Sequence, residues 1–343
     1  MGISIYIKSV AANILEKCGV VEYLIDRYSK NSFVVLMYHR VVPAKETIPG
    51  LEAGMYVESG TFDMHLRYLK RHFLISPLSE VVKYLGGSFP PKRQPVCILT
   101  FDDGWCDFYT YAYPILSDHG VPATVFLPTK FIGTKDQFWT DSLSRLCHGR
   151  DPGAARRNQT GSSHPIIDLL ENGNGSMEAR LERSIESMKA FPEEEIRRIL
   201  DGLRERWGID PTPQSRDFLT WDEVREMHRS GLVSFGSHTE THRILTTLRD
   251  DEIVRELRRS KERLAEEGVA GSSFFPFAYP NGNHADYIMK SVKHHGYSLA
   301  VTTRKGWNGY TDGEKAFELN RIGIHQDMAS TDALFGCRIV RFL

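Results

Sequence analysis

Cysteine is scarce and unpatterned: Cys18, Cys97, Cys106, Cys147 and Cys337 are the five in 343 residues, with no C-x-x-C among them. An odd, scattered set excludes a disulfide framework and a structural zinc knuckle, and favours a reducing compartment. Charge of one sign is lacking too. Lys+Arg 43 stand against Asp+Glu 44, a formal net charge of -1, so the basic excess of a nucleic-acid binder is missing and no nucleic acid is expected as a partner. No stretch reaches the roughly 18 apolar residues of a membrane span. Lys8, Glu16 and Lys17 interrupt the start before the apolar core of a secretory signal forms, and no small-residue cleavage site follows. The expectation is a cytoplasmic chain without signal peptide or transmembrane span. Internal repeats and low-complexity tracts are absent as well.

What is present is an ordinary globular composition, 41% hydrophobic and 25% charged, at a length suited to one large α/β domain or two smaller ones. Ile7, Val10, Ile14, Cys18, Val21, Leu24 and Ile25 recur at three- and four-residue steps, which predicts an amphipathic helix over residues 1-30. Two readings of that helix stay open. It packs on the body of the protein, or it makes peripheral membrane contact beside a lipid-carried substrate.

Residues 31-343 then alternate short apolar runs with helical patterns. Phe33 to Met37, Val96 to Leu99, Pro122 to Leu127, Leu232 to Gly236, Phe274 to Ala278, Leu299 to Thr302 and Arg321 to Ile324 read as buried strands. Helices are expected around Phe62 to Leu69, Tyr113 to His119 and Ile253 to Leu264. Such alternation implies parallel pairing and an α/β fold. From about 146-216 the pattern changes to polar loops, including Asn158 to Ser163 and Asn172 to Ser176, followed by charged helices. This is expected to be a partly helical insertion in a barrel. The sequons at Asn158 and Asn174 carry no meaning without secretion.

Two short stretches bear the chemistry. Thr100-Phe101-Asp102-Asp103-Gly104 follows a strand, and His238-Thr239-Glu240-Thr241-His242 follows another. Chance supplies about half an H-x-x-x-H in a chain with this many histidines, so that half is weak alone. The pentapeptide arises by accident in roughly one chain in ten thousand. Adjacent side chains of a strand point to opposite faces, so both aspartates serve one site only if the chain turns, and Gly104 permits the turn. Two imidazoles four residues apart and two carboxylates suffice for a divalent ion and a base for water. The bland alternatives are a solvated turn for the aspartates and unrelated surface or core histidines.

The paired motifs resemble those of the polysaccharide deacetylases, the NodB-homology or carbohydrate esterase family 4 enzymes. Thr100 to Gly104 matches their T-F-D-D-G, and His238 to His242 their H-[ST]-x-x-H. The likeness runs from about Phe33 to Ile324 with the insertion unmatched, and Tyr38 to Val41 matches the Tyr-His-Arg-Val segment of one branch. The resemblance implies a deformed (β/α) barrel in which Asp103, His238 and His242 hold the metal and Asp102 is the base. The metal expected is Zn2+, with Co2+ or Ni2+ also acceptable to such a donor set.

The family's third motif, R-P-P-Y-G, corresponds to Ala278-Tyr279-Pro280-Asn281-Gly282. Ala278 stands where the family has the arginine that orients the base. The Asn281 amide is expected at the oxyanion, with Tyr279 and Pro280 against substrate. The fourth motif, an acid that tunes a histidine, has no clear counterpart, and Trp307 is expected to line the pocket. Ile322 to His325 loosely matches the fifth motif, making His325 the expected general acid, with His39 and His284 as alternates. Trp139, on a loop after a strand, is a candidate sugar-facing wall; packing into the core is the equal alternative.

The activity implied is hydrolysis of the N-acetyl amide of an amino sugar, on a lipid- or nucleotide-linked glycan precursor. The rivals are a deformylase or O-deacetylase on a related sugar, and a catalytically silent carbohydrate-binding barrel.

Overall fold

The computed structural model describes residues 3–43, 53–87, 94–150, 164–212, 215–269, 274–310 and 313–341. They divide into two compact units. The first, spanning residues 1–46, 52–134 and 218–343, is built on one curled α/β sheet that stops short of full closure, a deformed barrel as the alternating pattern predicts.

Its strands are β1 (Ser32–Tyr38), β2 (Leu74–Ile75), β3 (Val96–Phe101), β4 (Ala123–Leu127), β5 (Val233–Ser237), β6 (Pro276–Ala278), β7 (Leu299–Val301), β8 (Asn308–Gly309) and β9 (Ile322–Gly323). The central path runs β1-β3-β4-β5-β6-β7, every neighbour parallel. β2 joins β3 in parallel, and β8 meets the start of β1 antiparallel. β9 pairs in parallel with the end of β1, and a bridge from Leu319 to Val301 ties the same segment to β7, so residues 319–323 carry the chain from the last strand back to the first.

Parallel strands covered on both sides should be apolar throughout, and β3 and β4 are buried at every position. Phe33, Val35, Val96, Ile98, Phe126, Leu299 and Val301 share one core cluster across four strands. The consequence for function is positional. The carboxyl ends of β1, β3, β5 and β9 open toward one edge, which is where a parallel α/β sheet holds its chemistry.

The amino-terminal segment forms two helices, α1 (Ile3–Lys17) and α2 (Val20–Ser29), where the periodicity suggested one. Gly19 between them has φ 70, a left-handed residue that ends the first helix. α1 packs on the helix Asp332–Ile339, with Ala12 fully buried. Its Ile7 and Ile14 remain 60% and 58% exposed.

The second unit covers residues 135–217 together with 47–51. Helices Trp139–Gly149, Pro165–Asn172, Met177–Met188 and Glu193–Trp207 surround their own apolar cluster, including Leu143, Leu146, Ile166, Leu170, Leu203 and Trp207. Trp139 opens the first of these helices rather than sitting on a loop, and it packs against this cluster. The Asn158 to Ser163 stretch lies outside the described residues.

Candidate metal centre

β3 delivers Asp102 and Asp103 at its end. The chain turns there through Asp103 at φ 74 and Gly104 at φ 64. Glycine suits the second position, where φ is positive and a Cβ would stand 2.6 Å from Leu127 Cδ2. This is the break in strand alternation that lets two consecutive carboxylates serve one site. β5 delivers His238, and the chain reaches His242 with both Thr239 (φ 66) and His242 (φ 60) in the left-handed region. Four of the five non-glycine residues with positive φ among the described residues belong to the motifs singled out by sequence, Asn281 being the fourth. Strain of this kind concentrates where surrounding structure over-determines a geometry.

Asp103 Oδ1 lies 3.2 Å from His242 Nε2 and 3.5 Å from His238 Nε2. One ligand atom from each of the three residues lies within 4.8 Å of the others. The donor chemistry fits a divalent cation. His238 Nδ1 donates to the Ala278 carbonyl at 2.8 Å, which leaves the Nε2 lone pair facing Asp103. Burial pushes the His238 imidazole down to about 4, against the pull of the Asp102 carboxylate, so the ring is a neutral ligand. Trp105 Nε1 donates to Asp103 Oδ2 at 3.0 Å, engaging the oxygen that does not face the histidines. Burial opposes the charge on Asp103, but the His242 hydrogen bond and the charges of His242, His39 and His238 hold its carboxyl far below the usual carboxylate range.

Asp102 has a partner that sequence reasoning missed. Arg321, immediately before β9 and 0% exposed, donates from both terminal nitrogens to the two Asp102 oxygens at 2.7 Å each. Its Nε donates to Thr302 O at 2.8 Å, and Nη1 also reaches Thr100 Oγ1 at 3.2 Å. A guanidinium held at three points presents a fixed fork to a carboxylate. Burial raises the Asp102 carboxyl, yet the Arg321 charge and its hydrogen bonds bring it below its ordinary value. A buried arginine thus meets Asp102 from the segment before β9, although the third-motif position is Ala278. The only signal in the sequence was an arginine at the head of a predicted strand.

The remaining expected residues divide. Asn281 is exposed in a tight turn with φ 57, its side chain donating to Asn283 Oδ1. Tyr279 is 0% exposed, with its hydroxyl on Phe317 O at 2.9 Å, and Pro280 is buried beside it; neither offers a face to substrate, because the ring is committed to the core with Phe277. Trp307 precedes β8, at the amino end of β1. It donates to Ile339 O at 3.0 Å and stacks on Tyr28, so it is a packing residue at the opposite end of the sheet from Asp102. His325 follows β9 and meets Asp327 through Nδ1, an acid partner the sequence motifs did not reveal. His284 Nδ1 contacts Gly282 O at 2.9 Å and its ring stacks on Tyr279. His39 immediately follows β1, the strand between β3 and β9.

A curled parallel sheet with an Asp-His-His cluster at its carboxyl edge, and a second carboxylate locked beside it, defines a metal-binding α/β barrel. The chain belongs to the polysaccharide deacetylase family, whose family model matches residues 90–300. Among curated proteins it is similar to the putative polysaccharide deacetylase YxkH of Bacillus subtilis, 27% identical over 142 residues, 40% of this chain and 44% of that one. It is also similar to the poly-beta-1,6-N-acetyl-D-glucosamine N-deacetylase of Staphylococcus epidermidis, 34% identical over 130 residues, 35% of this chain and 44% of that one. These matches span less than half the length of either relative. The fold is shared with the deacetylase PplD of Streptococcus pyogenes, solved with acetate, at a TM-score of 0.58 and 21% identity over 89% of this chain and 96% of that one. IcaB from Ammonifex degensii follows at 0.56 and 19%, over 89% and 97%.

Proposed function

We propose that the protein is a metal-dependent hydrolase that removes the N-acetyl group from an amino sugar. The observation that carries this reading is Asp102: a carboxylate next to the metal triad, ionised and aimed by the buried Arg321 fork. A divalent ion, Zn2+ by preference and Co2+ or Ni2+ in its place, would supply Lewis acidity at Asp103, His238 and His242, acidifying a water and polarising an acyl oxygen. Asp102 takes the proton of the attacking water, and Arg321 keeps it unprotonated and unable to rotate. The Asn281 backbone amide faces the developing oxyanion; its exposed left-handed turn supports this role.

A histidine then gives a proton to the departing amine. Strand order favours His39: it follows Tyr38, which pairs with Phe101, the residue before Asp102, whereas His325 follows β9, which pairs with β1 and not with β3. His325 is the second candidate, supported by its contact with Asp327.

The ion pair between Asp102 and Arg321 speaks against a silent binding barrel, which has no use for a buried, oriented base. Deformylase and O-deacetylase activity use the same machinery and differ in the product released. For substrate we propose a lipid- or nucleotide-linked N-acetylhexosamine met in the cytoplasm. The exposed Ile7, Val10 and Ile14 on α1, with Lys8 and Lys17 alongside, support peripheral membrane contact by residues 1-30. The test is release of acetate, and of formate as the rival product, across free, nucleotide-linked and lipid-linked amino sugars. Acetate from N-acetylated sugars is expected, with binding of the full chain to anionic vesicles. Formate alone, or no release from any member, would refute the reading.

A further inference from the structure

The two histidines of the metal triad are joined by a short loop that departs from ordinary backbone geometry. Thr239 and His242 both adopt positive φ, and threonine is β-branched, which makes that conformation costly. Something must hold the loop there. Backbone contacts contribute on one side: Thr129 N donates to Thr239 O at 3.2 Å and Lys130 N to Glu240 O at 2.9 Å. On the other side stands a single carboxylate from the helix Asp250–Glu266. Glu256 is 1% exposed. Its Oε2 accepts from Glu240 N at 2.9 Å and from Thr241 N at 2.8 Å, and its Oε1 accepts from Thr241 Oγ1 at 2.5 Å.

We infer that Glu256 is a positioning residue for the metal centre: it clamps the loop between His238 and His242 and thereby sets the spacing of the two imidazoles. A buried carboxylate would be a liability without partners, and here its three hydrogen bonds come from Glu240 and Thr241, two of the three residues between the ligands. The chemistry makes a sharp distinction. Both backbone amides converge on one oxygen, and the other oxygen meets a hydroxyl, which can accept as readily as it donates. Glutamine can therefore satisfy the same three groups without charge. Aspartate keeps the charge but is one methylene too short to reach them. The inference rests on the metal reading of Asp103, His238 and His242.

The experiment compares the full-length protein with Glu256→Gln and Glu256→Asp. It measures Zn2+ affinity by competition with a chromophoric chelator, and thermal midpoints with and without Zn2+. Glu256→Asp should bind Zn2+ about tenfold or more weakly, in the range lost when outer supports of metal ligands are removed, and the midpoint rise on adding Zn2+ should shrink. Glu256→Gln should stay within about threefold of the unmodified protein. Wild-type affinity in Glu256→Asp, or a greater loss in Glu256→Gln than in Glu256→Asp, overturns the inference. So does a fall of both midpoints in Glu256→Asp with their difference unchanged, which marks a purely structural role. An unmodified protein that takes up no Zn2+ would instead refute the metal reading itself.

Discussion

Asp102 and Arg321 are separated by 219 residues in the chain and by 2.7 Å in the fold. Both are nearly solvent-free, and removing one partner of such a pair leaves a buried charge uncompensated, at a cost of about 3–5 kcal/mol. Arg321→Met should therefore lose activity and that order of stability together, measurable by urea denaturation; a stable variant with full turnover would show the fork to be ornamental. For the proton donor, His39→Ala should lower turnover more than His325→Ala, at unchanged metal content. Equal or opposite effects would return the role to His325. At this scale the sequence was most legible where chemistry is contiguous. Asp102-Asp103-Gly104 and His238 to His242 each reveal a ligand set within five residues. Arg321 was hidden because only the return of residues 319–323 from β7 to β1 brings it to β3. Tyr279 misled in the other direction, since an aromatic beside a motif looks like a sugar platform until its burial is known.

At the scale of elements, strand ends decide the site. The runs expected at Val96, Pro122 and Leu232 match β3, β4 and β5, because fully buried parallel strands are uninterrupted apolar segments. Where the reading failed, local signals were ambiguous. Trp139 follows an extended Phe138, yet the next residues bury a helical face through Leu143, Leu146 and Cys147, so the ring starts a helix. Trp307 carries no mark of which end of the sheet it occupies. The turn after β3 gives a direct test. Gly104→Ala must place a methyl 2.6 Å from Leu127 Cδ2 at φ 64, so it should destabilise the protein by more than the ~1 kcal/mol of an ordinary Gly to Ala conflict and weaken divalent-ion binding. A variant with unchanged denaturation midpoint and ion affinity would mean the turn is tolerant and the paired aspartates do not depend on it.

For the whole molecule, the alternation of strands and helices announced the curled α/β sheet, and the change of composition after about residue 146 was read as a partly helical insertion in the barrel, where the structure has a compact second unit. Its extent, residues 135–217, came from a separate apolar core that short-range patterns do not delimit. Buried imidazoles give the first unit a pH dependence. His65 accepts from Tyr38 and donates to Ala329 O at 2.7 Å, and burial pushes it down to about 4, as it does His238. Between about 6.5 and 4 the unfolded chain takes up protons that these rings refuse, so stability falls as pH drops through that window. Metal-free protein should show its urea midpoint declining from pH 7 to pH 4.5, and His65→Gln should flatten the slope. A midpoint that is flat across this range would contradict the neutral assignment of both rings.

In the proposed reaction four side chains have separable duties: three would hold an ion and one would move a proton. The most direct measurement is divalent-ion content and acetate release on the same preparations of the unmodified protein, Asp102→Asn and His238→Ala. Asp102→Asn should retain the ion and lose turnover, and His238→Ala should lose both. Continued acetate release by Asp102→Asn, or loss of its ion along with its activity, would contradict the division of labour between Asp102 and the Asp103, His238 and His242 triad.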